Sequence, residues 1–512
     1  MRSEEIYDAV TNIRSDIIDG AENIKAAKKR GKALKWIAGA AAALVIAAIG
    51  GVLLISGSSG EAVISGQGDT VKPGGNFNAD LSKYAVVESQ YPKMSPYPDE
   101  SAFVNHLTGE FDSEGFDKVY DAWRGDLTAQ RAYEDGYDDG LDEFTEKTII
   151  ELLTDAEGEN RVYSPLNIYM ALGMLAEVTD GSSRQQILDL LGADNIDTLR
   201  ERAKTLWNVS YCDDGATTSV LASSLWLNED ITFNEKVLGQ LAESYYASSF
   251  SGEMGSDGLN SAFRGWLNEQ TGGMLEEQIG GISLDPRTEL ALATTIYFRA
   301  KWYDKFFADA TEAGVFHGAD GSTECEFMHM KHGMNYCWGE KFTSIAQSLQ
   351  NDGEMRFILP DKGVSIDELL NDEEAMEFIL YDSTRLESSF GGWAKSKYVT
   401  VNEAIPKFDI SSQFDLIESL KSLGVTDVFD PSESDFSPLT DDELFVGQAQ
   451  HGARVMIDEE GCTAAAYTEM MLCGAGAPPE DEVDFVLDRP FIFVVTGFDG
   501  QPLFIGVVNN VK

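Results

Sequence analysis

The residue types that most often carry out catalysis or bind metals are few in this chain and form no familiar catalytic pattern. His329 and His332 have H-x-x-H spacing, but no histidine precedes a glutamate as in H-E-x-x-H, and no Gly-Lys-Ser/Thr phosphate loop occurs. The five cysteines are odd in number, widely spaced and without a C-x-x-C pair, which argues against a disulfide framework and a zinc site. They are Cys212, Cys325, Cys337, Cys462 and Cys473. These patterns indicate a protein that is not an enzyme and needs no cofactor or metal.

Within one segment near the C-terminus, residues 455–485, the stretch from Cys462 to Cys473 has the pattern of a strand that could be buried on one face. Side chains alternate between the two faces of a strand. One face would carry small or apolar residues and one threonine: Cys462, Ala464, Ala466, Thr468, Met470 and Leu472. The other would carry Thr463, Ala465, Tyr467, Glu469, Met471 and Cys473, and a one-residue shift would bury Glu469. No proline interrupts residues 461–475, so every N–H there can join a sheet, although a permanent strand would have the same pattern.

Helical and strand-like runs alternate from residue 141 onward without strict βαβ order, which predicts an α+β fold. This region contains short motifs in a fixed order: 163–166 (YSPL) with 171–175 (ALGML), 266–271 (WLNEQT), 296–302 (IYFRAKW), 405–408 (IPKF), 423–429 (LGVTDVF), 490–493 (PFIF) and 503–506 (LFIG). The series resembles the serpins over nearly all of residues 140–512. The resemblance implies the serpin fold, with three β-sheets, about eight or nine helices and an exposed reactive-centre loop.

The resemblance also implies a mechanism, which is suicide inhibition of a serine protease. The protease attacks a bond in the exposed loop, and the freed loop then inserts into the central sheet and carries the acyl-enzyme with it. Family spacing from Gly461 and the run Pro478-Pro479-Glu480 both place the attacked bond at Ala475–Gly476; the bonds Cys473–Gly474 and Leu472–Cys473 are alternatives. Small residues there fit an elastase-like or subtilisin-like protease and disfavour a trypsin-like one.

The resemblance assigns two further sets of residues that control loop insertion. The hinge, where insertion begins, is Glu460, Gly461, Cys462, Thr463, Ala464, Ala465 and Ala466. The shutter and breach, which control opening of the central sheet, are Ser164, Thr294, Trp302 and His451. Two positions depart from the family: Cys462 replaces Thr or Ser, and Thr294 replaces an Asn that would pair with His451. Small hinge residues favour an inhibitor, whereas Cys462 and Tyr467 leave a non-inhibitory binding or structural protein as the alternative.

Residues 36–55 are uncharged for 20 residues, enough to cross a bilayer as a helix. Six Lys and Arg residues between Lys25 and Lys35 precede them and predict a cytoplasmic N-terminus. A cleaved signal peptide is the alternative, but its basic region would be unusually long. The sequence thus predicts a cytoplasmic segment (1–35), a transmembrane helix (36–55), a stalk or extension (56–113) and an extracellular serpin domain (114–512, core from about 140). These features fit a single-pass bacterial surface protein.

The chain is strongly acidic, with a formal net charge of −49. Residues 1–35 are slightly basic, so nearly all of this negative charge lies beyond the predicted anchor. Such a surface repels nucleic acid and attracts basic partners at low salt. The predicted partners are the membrane, through residues 36–55, and a target serine protease, whose attraction would be strongest if it is basic. The chain is expected to act as a monomer.

Overall fold

The computed structural model describes residues 40–46, 81–105, 111–271, 282–350, 353–381, 395–462, 479 and 481–511. Ten α-helices occur in these ranges, one or two more than expected. They are α1 (Ser113–Gln130), α2 (Leu141–Leu153), α3 (Pro165–Val178), α4 (Gly181–Leu190), α5 (Ile196–Ser210), α6 (Glu235–Ser244), α7 (Asp257–Gln270), α8 (Ile366–Leu370), α9 (Glu373–Leu380) and α10 (Ile417–Ser422).

The central sheet contains nine of the described strands. Along the sheet the order is β1, β14, β15, β7, β5, β6 and β2, with β13 paired to β14 and β4 to β5. Their bounds are β1 (Ala40–Ile46), β2 (Ala85–Val87), β4 (Cys212–Asp213), β5 (Thr218–Asn228), β6 (Ala247–Gly252), β7 (Thr288–Lys301), β13 (Phe408–Asp415), β14 (Leu444–Ile457) and β15 (Gly461–Cys462). The interior of β5 is buried at every position, as expected for a strand covered on both faces.

The remaining nine described strands form a single second sheet, where the family resemblance predicts two. Its order is β16, β12, β9, β10, β11, β17, β18 and β3, with β8 paired to β9. The strands are joined because β9 is 18 residues long and pairs with β8, β12 and β10 along its length. The bounds are β3 (Arg161–Tyr163), β8 (Glu312–Gly318), β9 (Gly321–Trp338), β10 (Phe342–Ser348), β11 (Glu354–Pro360), β12 (Ser396–Pro406), β16 (Glu482–Val486), β17 (Phe491–Thr496) and β18 (Pro502–Val508).

Helix α3 lies in the core and illustrates how the sequence fixes an element. The hydroxyl of Ser164 caps its first turn by accepting a hydrogen bond from the N–H of Asn167 at 3.3 Å. Pro165 follows as the first helical residue, where a missing N–H costs nothing. All of its residues are buried, in agreement with a helix that is apolar on every side.

Most of the segment expected to form a transmembrane helix, residues 36–55, lies outside the described residues. Within that range the structure describes Ala40–Ile46 as strand β1, which pairs in parallel with residues 288–294 of β7; the rest lies outside the described residues. None of the described helices is both long enough and apolar enough to cross a bilayer.

The segment expected as a stalk or extension, residues 56–113, is described over residues 81–105 and 111–113. From Leu81 onward the chain packs against the folded body: Leu81 is 1% exposed and β2 pairs with β6 at the edge of the central sheet. Ser, Gly, Asp and Pro are frequent in this segment, and such a composition predicts a linker. Single apolar and aromatic side chains of the segment nevertheless pack against the rest of the fold. Helix α1 follows this segment and buries Trp123 and Leu127.

Candidate functional site

The hinge begins as a short strand between the two strands that would flank an inserted loop. Cys462 pairs with Ala300 of β7 on one side and with Ile457 of β14 on the other, antiparallel to both. It is only 2% exposed, so a cysteine fits the buried position where the family has Thr or Ser. The start of the bait segment is therefore already part of the central sheet.

Gly461 lies so close to β7 that no other residue type fits without movement. A Cβ atom at this position would lie 2.3 Å from the carbonyl oxygen of Ala300 and 2.7 Å from the Cα of Lys301. Both are backbone atoms in a central strand, which cannot rotate away as a side chain could. The glycine is thus required by the close approach of the hinge to the sheet.

A tight turn at residues 458–460 connects β14 to the hinge and is held by Trp302. The indole N–H of Trp302 donates to the carbonyl of Asp458 at 2.8 Å, and its backbone N–H donates to the carbonyl of Glu460 at 3.1 Å. The carboxylate of Asp458 accepts hydrogen bonds from the N–H groups of Glu460 and Gly461. Burial raises the pKa of Asp458, and these backbone donors oppose that shift. Trp302 is 1% exposed and so acts as a fixed support for the turn.

Glu459 connects the same turn to the strands around it. Its carboxylate accepts a hydrogen bond from the hydroxyl of Thr311 at 2.7 Å and lies 3.0 Å from the ammonium of Lys407. Lys407 also pairs with Glu326 at 2.8 Å. Burial alone would raise the pKa of Glu459, but the hydrogen bond from Thr311 and the ion pair with Lys407 hold this pKa below its ordinary value. Glu460 has a weaker contact, 3.9 Å from Lys305.

Below the central sheet, Ser164 and His451 are joined by a hydrogen bond. The backbone N–H of Ser164 donates to Nε2 of His451 at 3.1 Å, so this nitrogen must be unprotonated. The ring of His451 stacks on Phe414 and is completely buried, and this burial lowers its pKa to about 3. The histidine is therefore a neutral structural acceptor.

Thr294 and His451 face the position of the inserting strand from opposite sides, since they belong to β7 and β14. Both are 0% exposed. Within the described residues the hydroxyl of Thr294 and Nδ1 of His451 have no hydrogen-bond partner. The bond that an Asn would make at position 294 is therefore missing, and two buried polar atoms remain unsatisfied at the strands flanking the hinge.

The structure brings some of the expected site residues together and leaves others undescribed. Glu460, Gly461 and Cys462 lie beside Trp302, and Ser164 contacts His451. Thr463, Ala464, Ala465, Ala466, Ala475 and Gly476 lie outside the described residues. Asp458, Thr311 and Lys407 hold the hinge turn and were not predicted as site residues. For Lys407 the sequence offers a signal, because it is the lysine of the IPKF motif.

This architecture, a large central sheet with the start of a C-terminal loop between two of its strands, defines the class of the protein. The family model described as Serpin (serine protease inhibitor) matches residues 139–511. The chain therefore belongs to the serpin family. Its match begins after α1, so the preceding described residues are an addition to the family domain.

Curated relatives and solved structures agree with this assignment. The chain is 29% identical to Serpin-ZX of Arabidopsis thaliana over 375 residues, covering 70% of this chain and 93% of that protein. It is 28% identical to a leukocyte elastase inhibitor of Sus scrofa, covering 69% of this chain and 93% of that protein. The native-state structure of the thermophilic serpin tengpin has a TM-score of 0.64 and 25% identity, covering 74% of this chain and 95% of that one. Thyroxine-binding globulin in complex with thyroxine (TM-score 0.59, 22% identity) shares the fold.

Proposed function

We propose that this protein inhibits a serine protease as a suicide substrate, by inserting its cleaved loop between β7 and β14. The observation that carries the proposal is the position of Cys462, which is already paired with both strands. Small residues follow it in the sequence, as insertion into a packed sheet requires. Binding of a ligand without inhibition is the second function found in this fold, and the experiment below distinguishes the two.

The register started at Cys462 supports insertion further along the loop. In an antiparallel ladder each step forward on one strand is a step back on the other. Continued in this way, Thr468 would come opposite both Thr294 and His451, with its side chain on the same face as theirs. Those two residues carry the unsatisfied buried polar atoms, so the hydroxyl of Thr468 would give them a partner. On the same face Met470 and Leu472 would be buried, contributing about 1.5–3 kcal/mol each.

Insertion and strand β1 exclude each other. In the same register, loop residues 468–474 would take the positions on β7, residues 288–294, that β1 occupies. Residues 40–46 belong to the segment that we propose as a membrane anchor, with the N-terminus cytoplasmic and the inhibitor domain extracellular. When that segment crosses a bilayer, its place in the central sheet is free for the loop.

We place the attacked bond at Ala475–Gly476 and the target among elastase-like or subtilisin-like proteases. Gly474, Ala475 and Gly476 offer little side chain, which suits a shallow specificity pocket. The relative from Sus scrofa is named for inhibition of leukocyte elastase, which is consistent with this class of target. A basic protease would also be attracted by the acidic surface.

The test is incubation of the full chain, in detergent micelles, with pancreatic elastase. The proposal expects a covalent complex that survives SDS, loss of elastase activity, and a new N-terminus at Gly476. Cleavage without complex formation and with undiminished elastase activity would exclude inhibition. It would favour the alternative function, which is binding of a ligand. A cut at another bond with complex formation would correct only the assignment of the bond.

A matched pair of variants tests the inserted face. Ala464→Arg would have to bury a charge below the sheet, so this variant should be cleaved without forming a complex. Ala465→Arg places the same side chain on the opposite face, together with Tyr467 and Glu469, and should retain complex formation. If Ala464→Arg inhibits as well as Ala465→Arg does, the assigned register is wrong.

A further inference from the structure

The described residues that precede the family match, 81–105 and 111–138, lie across the molecule as a strap with two attachments. We name them the strap. The first attachment is on the β6 edge of the central sheet and the helices beside it. The second is on the turn between β17 and β18 in the second sheet. Among the described segments before α2, the strap alone makes these contacts. The strap lies outside the family match.

At the first attachment the strap extends the central sheet. Ala85 pairs with Phe250 of β6, and the carbonyl of Tyr84 accepts a hydrogen bond from the N–H of Ser251 at 2.8 Å. The hydroxyls of Ser89 and Ser248 are 3.0 Å apart. The phenol of Tyr84 fills space left by a glycine of α7, since a Cβ at Gly258 would come within 2.5 Å of its oxygen.

An aromatic cluster continues this attachment toward α5 and the end of α6. The ring of Tyr91 contacts Trp207 at 5.1 Å, Tyr211 at 5.8 Å and Tyr246 at 6.2 Å between centroids. Further on, the N–H of Tyr97 donates to the carbonyl of Asp214 at 2.8 Å. Aromatic pairs of this kind stabilise beyond the area they bury.

At the second attachment the chain leaving α1 contacts the β17–β18 turn. The guanidinium of Arg131 lies 4.8 Å from the ring centroid of Phe498. The hydroxyl of Tyr137 donates to the partly buried carboxylate of Asp499 at 2.9 Å, and the carboxylate of Asp138 accepts from the amide of Gln501 at 2.6 Å.

These two attachments lie on opposite sides of the place where the central sheet must open. Insertion next to β7 separates β7, β5 and β6 from β14 and β13. The β17–β18 hairpin belongs with β13 and β14, because β18 pairs with β3 and the N–H of Val162 in β3 donates to the hydroxyl of Ser412 in β13 at 2.8 Å. The strap therefore connects the half of the central sheet that contains β6 to the half that contains β13 and β14.

We infer that the strap restrains opening of the central sheet and so sets the rate of loop insertion. The inference rests on the proposed function, because it concerns the step by which that inhibitor acts. A strap attached to both halves must release or stretch one attachment before the sheet can open. Weakening either attachment accelerates insertion, and fixing the first one by a covalent bond removes the effect of weakening it.

The experiment measures insertion in the full chain after rapid cleavage by saturating pancreatic elastase. The rate is followed by tryptophan fluorescence, and completion by the rise in Tm. Tyr91→Ala weakens the first attachment and Tyr137→Phe removes the hydrogen bond of the second. Each should accelerate insertion about tenfold, as expected when such an interaction is lost before the transition state. Tyr398→Ala removes an exposed tyrosine near the start of β12, outside both attachments, and is the matched control; its rate should equal that of the unchanged chain.

A disulfide lock makes the test reversible. Ser89→Cys with Ser248→Cys places two thiols where the hydroxyls are 3.0 Å apart, close enough to bond after small rotations. When oxidised, the lock should abolish the acceleration caused by Tyr91→Ala, and reduction should restore it. If Tm rises after cleavage but all variants insert at one rate, the strap has no such role. If Tm does not rise in any variant, including the unchanged chain, it is the proposed function that fails.

Discussion

The imidazole of His332 lies 3.3 Å from the carboxylate of Glu403, a side chain that is completely buried. Nδ1 of the same ring is 3.7 Å from Asp304, and the amide of Gln347 donates to the other oxygen of Glu403. The ion pair with Glu403, followed by the charge of Asp304, raises the pKa of His332, and burial of the ring opposes this shift. His332, the second histidine of the H-x-x-H pair, is therefore the counterion of the buried Glu403.

We predict that this pair stabilises the protein most at acidic pH. A histidine whose folded pKa is raised contributes fully below its unfolded pKa, near 6.5, and its contribution is lost as pH rises through the folded value. His332→Gln should lower the free energy of unfolding by about 1–3 kcal/mol at pH 5.5 and by less at pH 8.5. Urea denaturation at the two pH values measures this, with the exposed His317→Gln as the control. An equal loss at both pH values would contradict the ion pair.

His451 should behave in the opposite way. Its pKa is lowered by burial to about 3, so the unfolded chain binds a proton between about pH 6.5 and 3 that the folded chain does not. Its contribution therefore falls as pH falls through that window. His451→Gln should destabilise clearly at pH 7.5, where Ser164 loses its acceptor, and the deficit should shrink by pH 4.5. A deficit that grows on acidification would mean that the ring is charged in the folded state.

The sequence predicts some of these features and not others, for physical reasons. The strand with Phe491 and the helix at Leu141 follow from strong apolar patterns, and the order of short motifs predicts the family. The pairing of His332 with Glu403 is not visible in a linear pattern, because it depends on the register by which β9 places His332 opposite Val401. The strap attaches through single side chains such as Tyr91, whose partners lie more than a hundred residues away, so its composition resembles that of a linker.

Gly461 should be sensitive to the smallest substitution. Gly461→Ala places a methyl group 2.3 Å from the carbonyl oxygen of Ala300, which forces the hinge away from β7. We expect a loss of about 1–3 kcal/mol in stability and a slower formation of the protease complex. Gly239→Ala is the matched control, because its position in α6 has no atom within 4 Å of the new methyl group; it should be neutral or stabilising. Equal effects of the two substitutions would show that the hinge does not need the close approach.

The acidic surface should make inhibition of a basic protease dependent on salt. Opposite net charges accelerate encounter, and at 0.5 M salt this attraction is screened over a few ångströms. The association rate constant with a basic elastase-like protease should fall about tenfold or more between 0.05 and 0.5 M NaCl. With an acidic protease of the same specificity it should stay constant or rise. Equal salt dependence for both enzymes would remove the electrostatic argument for a basic target.

Thr294 and Thr468 should contribute only after the loop has been cleaved. The hydroxyl of Thr294 has no partner among the described residues before cleavage, so Thr294→Val should leave the uncleaved protein equally stable or slightly more stable. In the cleaved, inserted state the same change should cost about 1 kcal/mol, because the hydroxyl of Thr468 would lose a partner. Thr468→Val should have the same effect, and the two changes together should cost less than their sum. Thr463→Val, on the opposite face of the loop, is the control and should not alter the difference in Tm between cleaved and uncleaved protein. Loss of stability in uncleaved Thr294→Val, with no change after cleavage, would place the partner of Thr294 elsewhere and refute the register derived from Cys462.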